Sequence, residues 1–348
     1  PRSSRSRSPA WSDSRRSFSG ETWFSLRQKP DLPEPARSSF GAVAYQGKIY
    51  VAGGHHGPEH TYPPESFLDR LDIYDLETGT WSRGASMSVP RQGFEMAAHK
   101  GFLYAFGGFA YSGKNTPNWK SLAIIERYDI ANDRWEVLPE KLPRRRSSNI
   151  AATVGTKVYL IGGWDSTPKH PGDKEGKFHR AIDIFDLQAK RAYTASYKLP
   201  SPLRRAFTAV VQKEKVWLLG GISEGASHFD WLDNVTLFDP QAGQWRDMPP
   251  LPFATFAPGA GVYQGKLFLF GGMNQEGRYQ NTIYSLEMSQ PRSWHNTGRY
   301  LQENKGFPIG VHHPGLGLSI LGGHTYIFTH DGVIDTPVSI FEQLIRRD

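Results

Sequence analysis

Apolar residues along this chain fall in short runs, and six of those runs stop on a pair of glycines. The first reads Lys48-Ile49-Tyr50-Val51-Ala52-Gly53-Gly54, and the others end at Gly107-Gly108, Gly162-Gly163, Gly220-Gly221, Gly271-Gly272 and Gly322-Gly323. The steps between the pairs are 54, 55, 58, 51 and 51 residues. Runs this short, bounded by glycine, predict buried strands rather than helices. A steady period of this size predicts a set of equal supersecondary units that bury their apolar faces against one another.

Within a unit the polar signals keep one order. An Arg or small polar residue comes first, then a strand of small residues, a turn, and the apolar run to the diglycine. A long polar loop follows, then a strand ending in aromatic–Asp, with Trp six residues after that Asp. Unit one carries Arg37, Ala42-Val43-Ala44, Gly47, Tyr74-Asp75 and Trp81. Unit two carries Arg91, Met96-Ala97-Ala98, Tyr128-Asp129 and Trp135, and unit four Arg204, Ala209-Val210-Val211, Phe238-Asp239 and Trp245. Diglycine permits positive φ and close backbone approach. Asp followed by polar residues and Gly, as in Asp75-Leu76-Glu77-Thr78-Gly79, predicts a hairpin, and each Trp supplies apolar surface between units. Later units depart from the pattern. Unit three has Tyr193 near the Trp position, unit five reads Tyr284-Ser285 for aromatic–Asp with Trp294 late, and unit six diverges most.

This succession resembles the kelch repeat over about residues 21–345. The resemblance implies an all-β fold, a six-bladed propeller with four antiparallel strands per blade. Unit six has a third strand near Val338-Ser339-Ile340-Phe341-Glu342 but no room for a fourth, whereas Thr22-Trp23-Phe24-Ser25-Leu26 has no strands before it. An N-terminal strand at about 21–27 is therefore expected to complete blade six and close the ring, which removes a sheet edge. Residues 20–348 read as one propeller and residues 1–19 as a separate Arg/Ser-rich, low-complexity arm.

Composition narrows the chemistry. There is no cysteine, which excludes disulfides, thiolate nucleophiles and cysteine-ligated metals. No apolar run approaches a membrane-spanning length, so no membrane insertion is expected. The net charge of +7 and isoelectric point near 9.4 favour anionic partners, although nothing points to nucleic acid. The chain does not begin with Met, and its first nineteen residues suggest a cleaved targeting region, a basic docking arm for a partner, or an inert tail. Together these lean toward an exported or organellar protein.

Candidate chemistry gathers at the residues that open each blade. Sixteen positions before each first glycine lie Arg37, Arg91, Arg146, Arg204, Thr255 and Gly306. Four guanidiniums at one register suggest an arginine-lined central funnel for carboxylate, phosphate or sulfate. The alternative is that they tie blades together, as arginine at this position does in the resembled repeat. Arg144-Arg145-Arg146 and Arg204-Arg205 add charge nearby. The loops after the diglycines carry further candidates for sugar or peptide contact: His55, Tyr111, Trp164, His228, Trp231 and His324. Against small apolar inner strands, Glu95, His312 and His313 are out of place and are candidates for acid–base work or for binding a polar ligand.

A metal on His55, His56 and His60 is conceivable by residue type, but their spacing fixes no geometry, and no metal or other cofactor is expected. The resemblance implies a binding module for an acidic peptide, protein or glycan. A sugar mutarotase-like enzyme on an anionic sugar, and a subunit of a larger assembly docked through residues 1–19, stand as alternatives.

Overall fold

The computed structural model describes residues 23–346, apart from 59, 112–118, 171, 172, 174, 226, 227, 314–316 and 331. The Arg/Ser-rich arm lies outside the described residues.

Six antiparallel blades of four strands follow one another along the chain, the second carrying one further short strand, Phe109–Tyr111, on its third strand. Blade one consists of Gly41–Tyr45, Lys48–Ala52, Leu71–Asp75 and Thr80–Gly84, paired in that order. The second strand of every blade is the apolar run before the diglycine, and its residues are almost wholly buried. Neighbouring sheets stack face to face. One continuous cluster joins Tyr50, Ala52 and Leu71 of blade one to Met96, Leu103, Ala105 and Tyr128 of blade two, and equivalent clusters recur around the ring. The only helical turn among the described residues is a 3-10 turn at Pro64–Ser66.

The ring closes as expected. Phe24–Gln28 pairs antiparallel with Phe341–Arg346, from Phe24↔Arg346 to Gln28↔Glu342, and so becomes the outer strand of blade six beside Gly317–Leu321 and Ile309–His313.

The recurring residues do what their chemistry requires. Gly53 sits at φ +62, and a Cβ there would lie 2.7 Å from the Arg91 carbonyl oxygen. Only glycine lets blade two approach so closely. Asp75 accepts backbone N–H bonds from Glu77 and Thr78 and holds the hairpin. Trp135 packs at a tilt against Tyr128 at 5.2 Å and donates its Nε1–H to the Ala85 carbonyl at 2.9 Å, fastening blade two to the end of blade one. In blade five the pairing Lys266↔Glu287 matches Lys48↔Asp75 of blade one. Leu286-Glu287, rather than Tyr284-Ser285, therefore occupies the aromatic–Asp position.

Candidate functional site

Each blade opens on an extended segment that crosses the top of the propeller before its inner strand begins. Side chains along such a segment alternate in direction, and that alternation decides which residues face the axis.

The four arginines of the expected funnel point away from it. Arg37, Arg91, Arg146 and Arg204 are at most 2% exposed. Each reaches outward beneath its own blade to the third strand. Arg37 pairs with Asp72 at 2.5 Å, Arg91 with Glu126, and Arg146 with Asp183 at 2.7 Å. Arg204 donates to Thr236 Oγ1 at 3.3 Å and to the carbonyls of Gly220 and Asn234. Burial pulls Arg37, Arg146 and Arg204 down to about 10, so all three remain cations at neutral pH. Three of the guanidiniums also lie over the ring three residues on: Phe40, Phe94 and Phe207. Their place is inside the blades, as ties to the third strand.

Blade six needs a second correction. The second glycine N–H of each of the first five blades donates to the carbonyl of the residue that opens the next blade: Arg91, Arg146, Arg204, Thr255 and then Lys305. Lys305 rather than Gly306 therefore holds the register, and its buried ammonium pairs with Glu342 at 3.0 Å. Arg144, beside the register, shares Asp183 with Arg146.

The axis is faced by the next two residues of each segment. The first of them forms a two-way backbone bridge with the residue after a diglycine: Ser38 with His55, Gln92 with Phe109, Ser147 with Trp164, Arg205 with Ile222, and Gly306 with His324. The second is left-handed in every blade: Ser39, Gly93, Ser148, Ala206, Ala257 and Phe307. These six make a collar. The N–H of Gly93 donates to Ser39 O at 2.7 Å, and four further bonds of 2.8–2.9 Å run through Ser148, Ala206 and Ala257 to Phe307.

Above the collar lies a cavity of about 550 Å³. Its wall combines hydroxyls (Ser38, Ser39, Ser147, Ser148, Ser166), aromatic rings (Tyr62, Phe109, Trp119, Trp164, Phe256, Phe307), Gln92, three histidines and Arg205. The Arg205 guanidinium carbon lies 3.8 Å from the centre of the Trp164 ring and 4.6 Å from that of Phe229. The guanidinium therefore packs against two aromatic rings, themselves set edge to face 6.0 Å apart, on the cavity wall.

Of the loop candidates, His55, Trp164 and His324 are on this wall. His55 Nε2 lies 2.7 Å from Thr61 O, and burial lowers its pKa to about 4, so the ring is neutral. His324 Nδ1 lies 2.9 Å from Asp335 Oδ1, and the two imidazoles stack 6.5 Å apart. Trp231 stands behind the wall against Phe256 at 5.5 Å. Tyr111 is set back in the hairpin with Trp119, and His228 is exposed beside Phe229. His56 Nδ1 lies 2.9 Å from Ala36 O. Among the described residues no group of three or more His, Asp or Glu is arranged to hold a metal ion.

Glu95 and the His312-His313 pair are not brought together. Glu95 opens its inner strand just below the collar, where it lines an axial channel of about 200 Å³. Ile309 holds the same place in blade six, and the two histidines close that strand. Three residues along a strand separate these levels by ~10 Å.

Sequence reasoning missed Arg205 as the cation on the cavity wall, together with Gln92 and the serines of the collar. The signal was present: strict alternation from the buried arginines places the residue one further on at the axis.

The repeats, the six sheets and the closing strand make this chain a six-bladed β-propeller, and its repeats are similar to kelch repeats. A family model described as the KLHDC2/KLHL20/DRC7 Kelch-repeats domain matches residues 16–163. Kelch-like protein 35 of Mus musculus is 27% identical over 259 residues, covering 74% of this chain and 38% of that protein. Kelch repeat and BTB domain-containing protein 12 of Homo sapiens is 24% identical over 272 residues, covering 74% and 41%. Alpha-scruin of Limulus polyphemus is 23% identical over 264 residues, covering 74% and 27%. The chain thus spans about two fifths, or less, of the length of the curated relatives it matches. Among solved structures, one described as the structure of YjhT superposes with a TM-score of 0.72 at 16% identity, covering 92% of this chain and 99% of that one. That likeness speaks to the fold alone. Kelch propellers typically serve as protein-interaction modules. No helix among the described residues is long and apolar enough to cross a membrane.

Proposed function

We propose that this propeller binds a protein ligand through the cavity above the collar and holds a carboxylate of that ligand at Arg205. The observation that carries this reading is the Arg205 guanidinium set against Trp164 and Phe229 on the wall of a 550 Å³ cavity. A fixed guanidinium matches a carboxylate with two parallel hydrogen bonds, and serine hydroxyls with aromatic faces suit the backbone and side chains around it. The ligand is therefore an acidic peptide segment presented by a partner.

An array of acidic peptides and their amide counterparts tests this. Peptides bearing Asp or Glu should bind, and Arg205→Ala should weaken them about tenfold to a hundredfold, the equivalent of one lost charge-assisted interaction. Equal binding of acidic and amide peptides, or unchanged affinity in Arg205→Ala, overturns the reading.

A further inference from the structure

The cavity does not end at the collar. Ser39, Gly93, Ser148, Ala206 and Phe307 line both it and the axial channel beneath, so the two spaces meet there. Below the collar the lining turns apolar, with one ionisable group, Glu95. The other five blades carry Gly41, Ile150, Thr208, Gly259 and Ile309 at this register. The scaffold thus needs no carboxyl there. No hydrogen bond or ion pair of Glu95 is present among the described residues. In blade three, Asn149 also lines the channel; it is 3% exposed, and its Oδ1 accepts no hydrogen bond. The Glu95 carboxyl and the Asn149 amide oxygen therefore border one small space.

We propose that the channel is a second subsite, which takes the primary ammonium of a lysine side chain on a ligand whose carboxylate is held at Arg205. The proposal rests on the carboxylate reading for the upper cavity. An ammonium is compact and carries three donors and no acceptor. It suits a carboxyl and an amide oxygen at the bottom of an apolar channel, where the methylene stem of a lysine would lie against the walls. Burial pushes the Glu95 carboxyl up to about 8. No other charged group offsets this. On the adjoining strands Tyr45 is engaged by the Gly101 N–H, and Tyr104 stacks toward Phe106 and Phe185. Ile150–Val154 brings no titratable residue. Arg91, four residues upstream, is committed to Glu126, and His99 stands at the far end of the Glu95 strand.

The test uses ω-amino acids as probes, because they carry both charges on a simple stem. Titration calorimetry would compare 6-aminohexanoate and 8-aminooctanoate with hexanoate, octanoate and hexylamine, on the wild type, Glu95→Gln and Arg205→Ala. At least one amino acid should bind about tenfold or more tighter than the alkanoate of equal length, and Glu95→Gln should abolish that advantage while leaving the alkanoates unchanged. Hexylamine should bind, lose affinity in Glu95→Gln and be indifferent to Arg205→Ala. Near pH 7 amine binding should release close to one proton, read from its dependence on buffer ionisation enthalpy, and Glu95→Gln should release none. If the alkanoates bind through Arg205 but the amino group adds nothing, or Glu95→Gln changes nothing, the channel subsite is refuted and the carboxylate reading stands. If none of the probes binds, both readings fail.

Discussion

Arg204 and Arg205 are adjacent in the chain, carry the same charge, and do different work. Arg204 is buried beneath blade four, with Thr236 and two carbonyls as partners. Arg205 turns to the cavity, on whose wall it packs against the rings of Trp164 and Phe229. Nothing separates them but the parity of an extended segment. A cation turned into the blade must be matched inside it, whereas one turned to the axis becomes part of the cavity wall. The same division runs round the ring, between Arg91 and Gln92 and between Arg146 and Ser147.

The largest test of this division is removal of a buried guanidinium whose carboxylate stays behind. Arg91→Ala leaves Glu126 charged, fully buried and without its partner, and should cost about 3–5 kcal/mol in chemical unfolding. Arg91→Met with Glu126→Leu should recover most of that loss, since replacing both members of a buried pair by apolar groups is often neutral. If Arg91→Ala costs no more than Arg205→Ala, the inward arginines are not structural ties and the comparison collapses.

A second test uses acid. His55 is neutral in the folded protein, its pKa lowered to about 4 by burial, while the unfolded chain gains a proton near the ordinary value of 6.5. The folded state therefore loses stability as pH falls from about 6.5 to about 4, by up to ~3 kcal/mol. His55→Phe should flatten that segment of the stability curve. Glu95 has the opposite sign. With its folded carboxyl raised to about 8, its contribution is fully present below the ordinary carboxylate pKa and is lost as pH rises to 8. Glu95→Gln should gain on the wild type across that window and hold steady above it.

A smaller change is expected at the seams between blades. Trp135→Phe keeps a ring against Tyr128 but deletes the Nε1–H bond to Ala85, for about 0.5–1.5 kcal/mol. Smallest of all, Arg205→Ala should alter unfolding free energy by no more than about 0.5–1 kcal/mol.

The fold was legible because its markers are local. Diglycine, aromatic–Asp and Trp each solve a problem within a few residues of themselves, so they recur where the chain recurs. The unmatched strand at Phe24–Gln28 could be read from the same count. The site was less legible for two physical reasons. The facing of Arg204 against Arg205 depends on strand parity, which the repeat shares but does not announce. Blade six also spaces its inner strands Ile309–His313 and Gly317–Leu321 one residue further apart than the other blades do. A fixed count of sixteen therefore falls on Gly306 instead of Lys305. Glu95 stood out in the sequence because its neighbours in register are small or apolar, whereas its separation from His312 needed the pairing of both strands.

The collar's hydrogen bonds run from Ser39 round to Phe307, and among the described residues none joins Phe307 back to Ser39. At that seam Phe40, Ile49 and Val51 pack against Val311, Leu321 and Phe341, and the ring is closed by the strand Phe24–Gln28, whose partners lie roughly 300 residues away in sequence. Every other blade closes on itself within about fifty. Joining ends so distant costs only ~1.6 kcal/mol more chain entropy than joining the ends of one blade, since the cost grows with the logarithm of length. The delay falls on time instead, because that contact must wait until the intervening blades have brought the two strands within reach. The propeller is in effect a clasped bracelet: five links form from neighbours, and the clasp, fastened last, is the place where a circular body with a fixed axis first becomes an open chain of sheets.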